Sequence, residues 1–179
     1  MQLSKTAYVV LGMLRLGRRT GYEIKSLVDV STRFFWAASY GQIYPELKRL
    51  EEAGLVTGTD DDSHARRRRA YDLTEAGERA LHDWLTADAP LSLELRHEGA
   101  LKLFFADALD VDEQLALVRR IRADHQRSRD ELGALHPNPE PAPDKRCPRR
   151  VLEWGIELNE FYVDWCNRVE REIEDERRT

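Results

Sequence analysis

The sequence is poor in cysteine, with only Cys147 and Cys166 in 179 residues. A small secreted domain held by disulfides needs more, so the pair fits a reduced cytoplasm where neither thiol requires a bond. Long apolar runs are also missing. The longest, Ala7 to Leu11, falls far short of the about 20 residues that a membrane-spanning helix needs. The first residues, Met1-Gln2-Leu3-Ser4-Lys5, lack the basic-then-apolar plan of a secretory leader, and the expectation is a cytoplasmic protein. There is no phosphate-cradling glycine loop and no Gly-x-Ser-x-Gly elbow. The histidines (His64, His82, His97, His125, His136) fall far apart, without paired ligand spacing. The sequence therefore assigns no catalytic residue, no cofactor and no metal ligand.

Charge of one sign is not in excess where it would matter. The net charge is −5, which looks wrong for a partner of nucleic acid, but its distribution is uneven. Through Thr86 there are 13 Lys and Arg against 12 Asp and Glu, and from Ala87 onward 15 against 21. The acidity belongs to the second half. In the first half, Arg66-Arg67-Arg68-Arg69 form a local basic stripe, which suffices for phosphate binding. A solvated loop is the plain alternative for that run, and Asp60-Asp61-Asp62 just before it could pair with the arginines.

The most informative stretch is Ser39 to Leu73. It opens with Ser39-Tyr40-Gly41-Gln42-Ile43-Tyr44-Pro45, where Ser39 and Gln42 have capping-box spacing. An amphipathic helix follows, with Leu47, Leu50 and Ala53 on one face and Lys48 and Arg49 on another. Pro45 lies beyond the usual first-turn slot and should bend or delay this helix. Gly54 stops it, and two short strands, from Leu55-Val56 and at Tyr71-Asp72-Leu73, flank the charged tip. A helix followed by a hairpin with a cationic tip is the pattern of a winged helix-turn-helix, which places a helix in the DNA major groove and a loop against flanking phosphates.

Helical periodicity places a first helix over Ser4 to Leu16 and a second over about Tyr22 to Val30, with Phe34-Phe35-Trp36 closing the core between the second and third. Thr74 caps a fourth helix to Leu85. Further helices are expected over about Glu94 to Asp107 and Asp112 to Leu135. The tract His136-Pro137-Asn138-Pro139-Glu140-Pro141-Ala142-Pro143 should be extended and solvated. The last helix, about Arg149 to Glu176, carries Val151, Trp154, Leu158, Phe161, Trp165, Val169 and Ile173, an apolar seam at coiled-coil-like period. Such a seam predicts a second copy of the chain as its partner. Trp154, Phe161 and Trp165 are also the candidate lining of a small-molecule pocket, although rings at this spacing are more often dimer core.

The motifs Gly21-Tyr22-Glu23-Ile24, Gly41-Gln42-Ile43-Tyr44-Pro45-Glu46-Leu47, Arg49-Leu50-Glu51-Glu52-Ala53-Gly54-Leu55-Val56 and Arg68-Arg69-Ala70-Tyr71-Asp72-Leu73-Thr74-Glu75-Ala76-Gly77 together resemble the PadR family of transcriptional regulators. Arg96-His97-Glu98 with Leu101-Lys102-Leu103-Phe104-Phe105 is similar to the opening of that family's C-terminal helical region. Two departures stand out. Ala65-Arg66-Arg67-Arg68 occupies the place of the family's Gly-Arg-Pro-Arg, adding charge and losing a rigid turn, and Ala70-Tyr71 replaces its Tyr-Tyr pair, which bears on one packing contact of the wing.

The resemblance implies a mainly α homodimeric repressor, with a winged helix-turn-helix over about 1–86 and a helical dimerisation region over about 87–179. It implies an inverted-repeat operator in double-stranded DNA and a small aromatic effector that lowers DNA affinity. It also implies that Tyr22 meets a phosphate and that Ser39, Tyr40, Gln42, Tyr44 and Lys48 face the groove, with Arg66, Arg67, Arg68 and Arg69 on flanking phosphates. For Tyr44 a place in the core beside Ile43 is an equally open reading. The rival function is a protein-interaction adaptor that keeps the winged-helix shape without specific DNA binding.

Overall fold

Ser4 starts the first helix by accepting a hydrogen bond from the Ala7 N–H at 3.0 Å, and α1 then runs over Lys5–Arg15. The computed structural model describes residues 3–61, 68–91, 93, 95–135 and 146–178. Arg66, Arg67, the side chain of Arg68 and the proline tract at 136–143 lie outside the described residues. The chain divides into two units, Met1–Leu91 and Ser92–Thr179.

In the first unit, α2 (Gly21–Val30) begins with a capping box between Thr20 and Glu23, and α3 (Tyr40–Glu52) begins with one between Ser39 and Gln42. Pro45 lies inside α3 and does not delay it. The bond it cannot donate would reach the Gly41 carbonyl, and both residues are exposed, so water can take that acceptor at little cost. Gly54 ends the helix at a positive φ of 69°, a conformation that costs glycine least. The chain then enters β1 (Val56–Asp61), which pairs antiparallel with β2 (Arg68–Leu73) in the register Gly58↔Tyr71 and Asp60↔Arg69. An isolated bridge between Thr20 and Ala70 ties the entry of α2 to this hairpin.

Thr74 caps α4 (Glu75–Thr86). A methyl group at Gly77 would stand 2.0 Å from the Leu55 carbonyl oxygen, so this turn of α4 rests directly on the start of the wing. The core joins Val10, Leu11, Ile24, Val28, Ile43, Leu47, Leu50 and Val56, all buried. Phe35 and Trp36 do not close it. They are 48% and 41% exposed, because a short 3-10 turn at Thr32–Phe34 carries them outward and the small side chain of Ala38 fills the closing position.

In the second unit, α5 (Glu98–Phe104) is shorter than its sequence suggests. His97 caps it by accepting the Ala100 N–H at 2.9 Å on Nδ1, and a 3-10 turn at Ala106–Ala108 follows. Asp110 and Glu113 form the capping box that starts α6 (Val111–Ala134). The long α7 (Arg146–Glu176) lies antiparallel to it. The order of their contacts shows this: Asp112 meets Arg177 at 2.8 Å, Arg119 meets Glu174 at 3.4 Å, and Arg122 meets Asn167 at 2.9 Å. The core between them holds Leu115, Val118, Ile121, Cys166 and Ile173, with Trp165 and Val169 packed against it. The apolar seam of α7 is therefore divided. Its later residues are satisfied within the chain, whereas Val151, Trp154 and Phe161 remain exposed. No described helix is long and apolar enough to cross a membrane.

Candidate nucleic-acid interface

The amphipathic pattern of α3 decides which side chains can meet a partner. Ile43, Leu47 and Leu50 are buried, and so is Glu46, which accepts a hydrogen bond from the Ser4 hydroxyl at 3.0 Å. The opposite face presents Ser39, Tyr40, Gln42, Tyr44 and Lys48, all exposed. Tyr22, near the start of α2, is exposed as well. These six expected positions stand on α2 and α3, at the surface of one unit.

The face is ordered by its own contacts. Gln42 Oε1 accepts from the Ser39 backbone N–H at 2.9 Å and from its hydroxyl at 3.2 Å, so the oxygen is engaged and the NH2 edge is left for another partner. Tyr44 is not a core residue, being 49% exposed. Its ring nevertheless lies on the first residue of α2, where a methyl group at Gly21 would stand 2.6 Å from Tyr44 Cε1. Tyr40 and Tyr44 stack with centroids 6.1 Å apart. Lys25 Nζ sits 5.4 Å from the centre of the Tyr40 ring and pairs with Asp29. Lys48 pairs loosely with Glu52 at 3.7 Å, an exposed contact worth roughly 0–1 kcal/mol and easily exchanged. Lys25 was not singled out in the sequence, and its i,i+4 spacing to Asp29 gives no hint that it lies over a ring of another helix.

The wing is less simply cationic than its sequence suggests. Arg69 donates to Glu51 Oε1 at 2.5 Å and to Asp60 Oδ1 at 2.8 Å. Glu51 also accepts the Gly58 N–H at 3.0 Å. The Arg69 guanidinium holds the Glu51 carboxyl below the usual carboxylate range, and burial pushes the Tyr71 phenol up. Of the expected Asp60–Asp62 pairing with the arginines, the described part includes the bridge from Asp60 to Arg69.

The candidate effector residues differ in burial. Trp154 and Phe161 are 49% and 57% exposed, whereas Trp165 packs into the core between α6 and α7. An open groove of about 580 Å³ on this unit, lined by Leu101, Lys102, Phe105, Leu109, Leu117 and Arg120 among others, contains none of the three.

One polar cluster is not announced by the sequence. His97 and His125, separated by 28 positions, meet with Nε2 to Nε2 at 2.8 Å. Because His97 Nδ1 accepts from Ala100, its proton belongs on Nε2 and is donated to His125. The His125 proton then sits on Nδ1, 2.8 Å from Asn159 Oδ1, and Asn159 donates onward to the Gly155 carbonyl at 2.8 Å. Tyr162 stacks on His125 with centroids 4.3 Å apart. Burial, and then the neighbouring His125, hold His97 below its ordinary value. The pairing is tertiary, across α5, α6 and α7, so no local spacing announces it. Among the described residues no group of three or more His, Cys, Asp or Glu side chains is placed to hold a metal ion. Burial pushes the Cys166 thiol up, as expected of an inert core cysteine.

The chain is similar to known proteins over most of its length. Residues 10–83 match the transcriptional regulator PadR-like family, and residues 95–174 match the virulence activator alpha C-term family. The chain is 33% identical over 171 residues to the negative transcriptional regulator PadR of Bacillus subtilis (strain 168), covering 90% of this chain and 93% of that one. The solved structure of Bacillus subtilis PadR in complex with operator DNA superposes with a TM-score of 0.85 at 29% identity, covering 93% of this chain and 98% of that one. The same protein in complex with p-coumaric acid gives 0.78 at 28% identity, covering 97% and 99%. On sequence and fold together, the chain belongs to the PadR-like family of transcriptional regulators.

Proposed function

We propose that this regulator is a homodimeric, sequence-specific DNA-binding repressor whose hold on an inverted-repeat operator is relieved by a planar aromatic effector. The observation that carries the reading is the exposed polar and aromatic face of α3, Ser39, Tyr40, Gln42, Tyr44 and Lys48, set opposite a fully buried one. In this reading that face enters the major groove, Tyr22 and the start of α2 meet the backbone, and Arg66, Arg67 and Arg68 lie along flanking phosphates. A unit of about 1–86 reads DNA and one of about 87–179 makes the dimer through the exposed half of the α7 seam. A protein with this task works where the DNA is, in the cytoplasm.

The effector part of the proposal draws on two facts. The relative from Bacillus subtilis has been solved with p-coumaric acid, and α7 of this chain exposes Trp154 and Phe161. A planar acid would stack on such rings once a second copy walls them in. Trp165 contributes from below, through the core it packs into.

The test is a mobility shift with a duplex from upstream of the protein's own gene, against the same duplex scrambled. Tighter binding to the natural duplex, reduced by a phenolic acid, is the expected result. Equal binding to both would leave an adaptor that keeps the winged-helix shape without reading sequence.

A further inference from the structure

Arg69 crosses the wing instead of pointing off it. Its guanidinium spans two carboxylates on different elements, Glu51 at the end of α3 at 2.5 Å and Asp60 on β1 at 2.8 Å. The path lies directly over Gly58. A methyl group there would stand 2.5 Å from Arg69 Nε and 2.5 Å from Glu51 Oε1. The strand thus has a residue without a side chain where the guanidinium and carboxylate meet, and Glu51 also accepts the backbone N–H of that residue. Beneath lies Tyr71, with Arg69 Cζ 5.9 Å from its ring centre. The geometry points to Arg69 and Glu51 as positioning residues, a strut that fixes the wing's angle to α3, and not to Arg69 as a phosphate ligand.

The inference rests on the proposed DNA-binding reading, in which α3 and the wing must reach one duplex together. Arg66, Arg67 and Arg68 can follow a phosphate backbone only if the hairpin leaves α3 at a set angle. Two of the five guanidinium donors are engaged, and one cation between two carboxylates leaves a net negative cluster that does not favour a phosphate. The two roles make opposite predictions for Glu51→Gln. If Arg69 were a phosphate ligand held back by Glu51, neutralising the acid would free it and strengthen binding. As part of a strut, the same change loosens the wing and weakens binding.

Gly58→Ala separates the roles without altering charge. Alanine is ordinarily the better strand residue, so without a strut it should slow amide exchange in the hairpin. With the strut, the methyl displaces Arg69 and exchange quickens. The experiment uses full-length protein carrying Glu51→Gln, Arg69→Gln or Gly58→Ala. It combines hydrogen exchange on the free protein with salt titrations on the duplex from upstream of the gene.

The strut predicts at least about 3-fold faster exchange of the β1 and β2 amides in all three, with α1 unaffected. It also predicts at least about 3-fold weaker DNA binding in all three, the double Glu51→Gln/Arg69→Gln no weaker than either single, and an unchanged slope of log K against log salt. Tighter binding by Glu51→Gln, or a slope reduced by about 0.9 per wing in Arg69→Gln, would overturn it. So would unchanged exchange in the free variants. If wild-type protein binds no duplex, the DNA-binding reading fails separately while the exchange measurement still decides the strut.

Discussion

At Gln42 the amide oxygen is committed to the Ser39 N–H at 2.9 Å, which leaves the NH2 edge for a base. Gln42→Ala would remove both, costing the capping box as well as any base contact. Gln42→Glu separates them. It keeps an acceptor for Ser39 but puts a carboxylate where a donor was, so thermal melts should match wild type while discrimination among operator variants falls by roughly 1–3 kcal/mol. Discrimination that survives in Gln42→Glu would take the residue out of base reading.

His97 offers a second prediction at this scale. It is held below its unfolded value of 6.5, first by burial and then by His125. The unfolded chain therefore takes up its proton before the folded one does. The stability associated with a neutral His97 is present above pH 6.5 and is lost as pH falls below it, through the folded pKa. Urea unfolding between pH 8 and 5 should show that loss, and His97→Asn, which retains a residue suited to capping α5, should flatten it. An equal slope in the variant would place the titration elsewhere.

Elements differ in how openly the sequence announces them. Helices α1, α2, α3, α4 and α6 are legible from their apolar period, reinforced by a cap at Ser39 before α3 and at Thr74 before α4. The exposed face of α3 is legible in part: with Leu47 and Leu50 inward, helix geometry sends Lys48 outward, whereas Tyr44 beside Ile43 stays open until its ring is placed on Gly21. The start of α5 is not legible, since histidine is an uncommon cap and its ring orientation depends on α6. Nor is the direction of the Arg69 side chain, because four arginines in a row look alike until Gly58 and Glu51 are placed beneath one of them. The α7 seam reads as one continuous stripe, yet only its later end packs within the chain, while Val151, Trp154 and Phe161 stay exposed.

That division is testable. Ile173 is buried within the chain, so Ile173→Ala should cost about 2–5 kcal/mol of folding stability in denaturant titrations. Trp154→Glu and Phe161→Glu should cost little in the folding of each chain. Light scattering at micromolar concentration should instead show them converting a dimer to a monomer, since a specific interface covers about 1,600 Å² and tolerates no buried unpaired carboxylate. Dimers that persist in both would move the interface off this stretch of α7.

For the whole molecule, a net charge of −5 is compatible with a nucleic-acid partner only if the positive charge is concentrated where DNA lies. The second half carries 15 basic against 21 acidic residues and should repel the duplex beyond the operator. Non-specific binding should accordingly be weak, and affinity should depend on both copies seating α3 at once. The most direct measurement is a fluorescence anisotropy titration of full-length protein on the duplex from upstream of its gene, on that duplex with one half-site scrambled, and on a fully scrambled control, from 50 to about 200 mM salt. The account predicts two chains per intact duplex and a loss of affinity when either half-site is scrambled. It also predicts that salt weakens binding to all three duplexes while preference for the intact one remains. Equal affinity for the three duplexes at every salt concentration would contradict it.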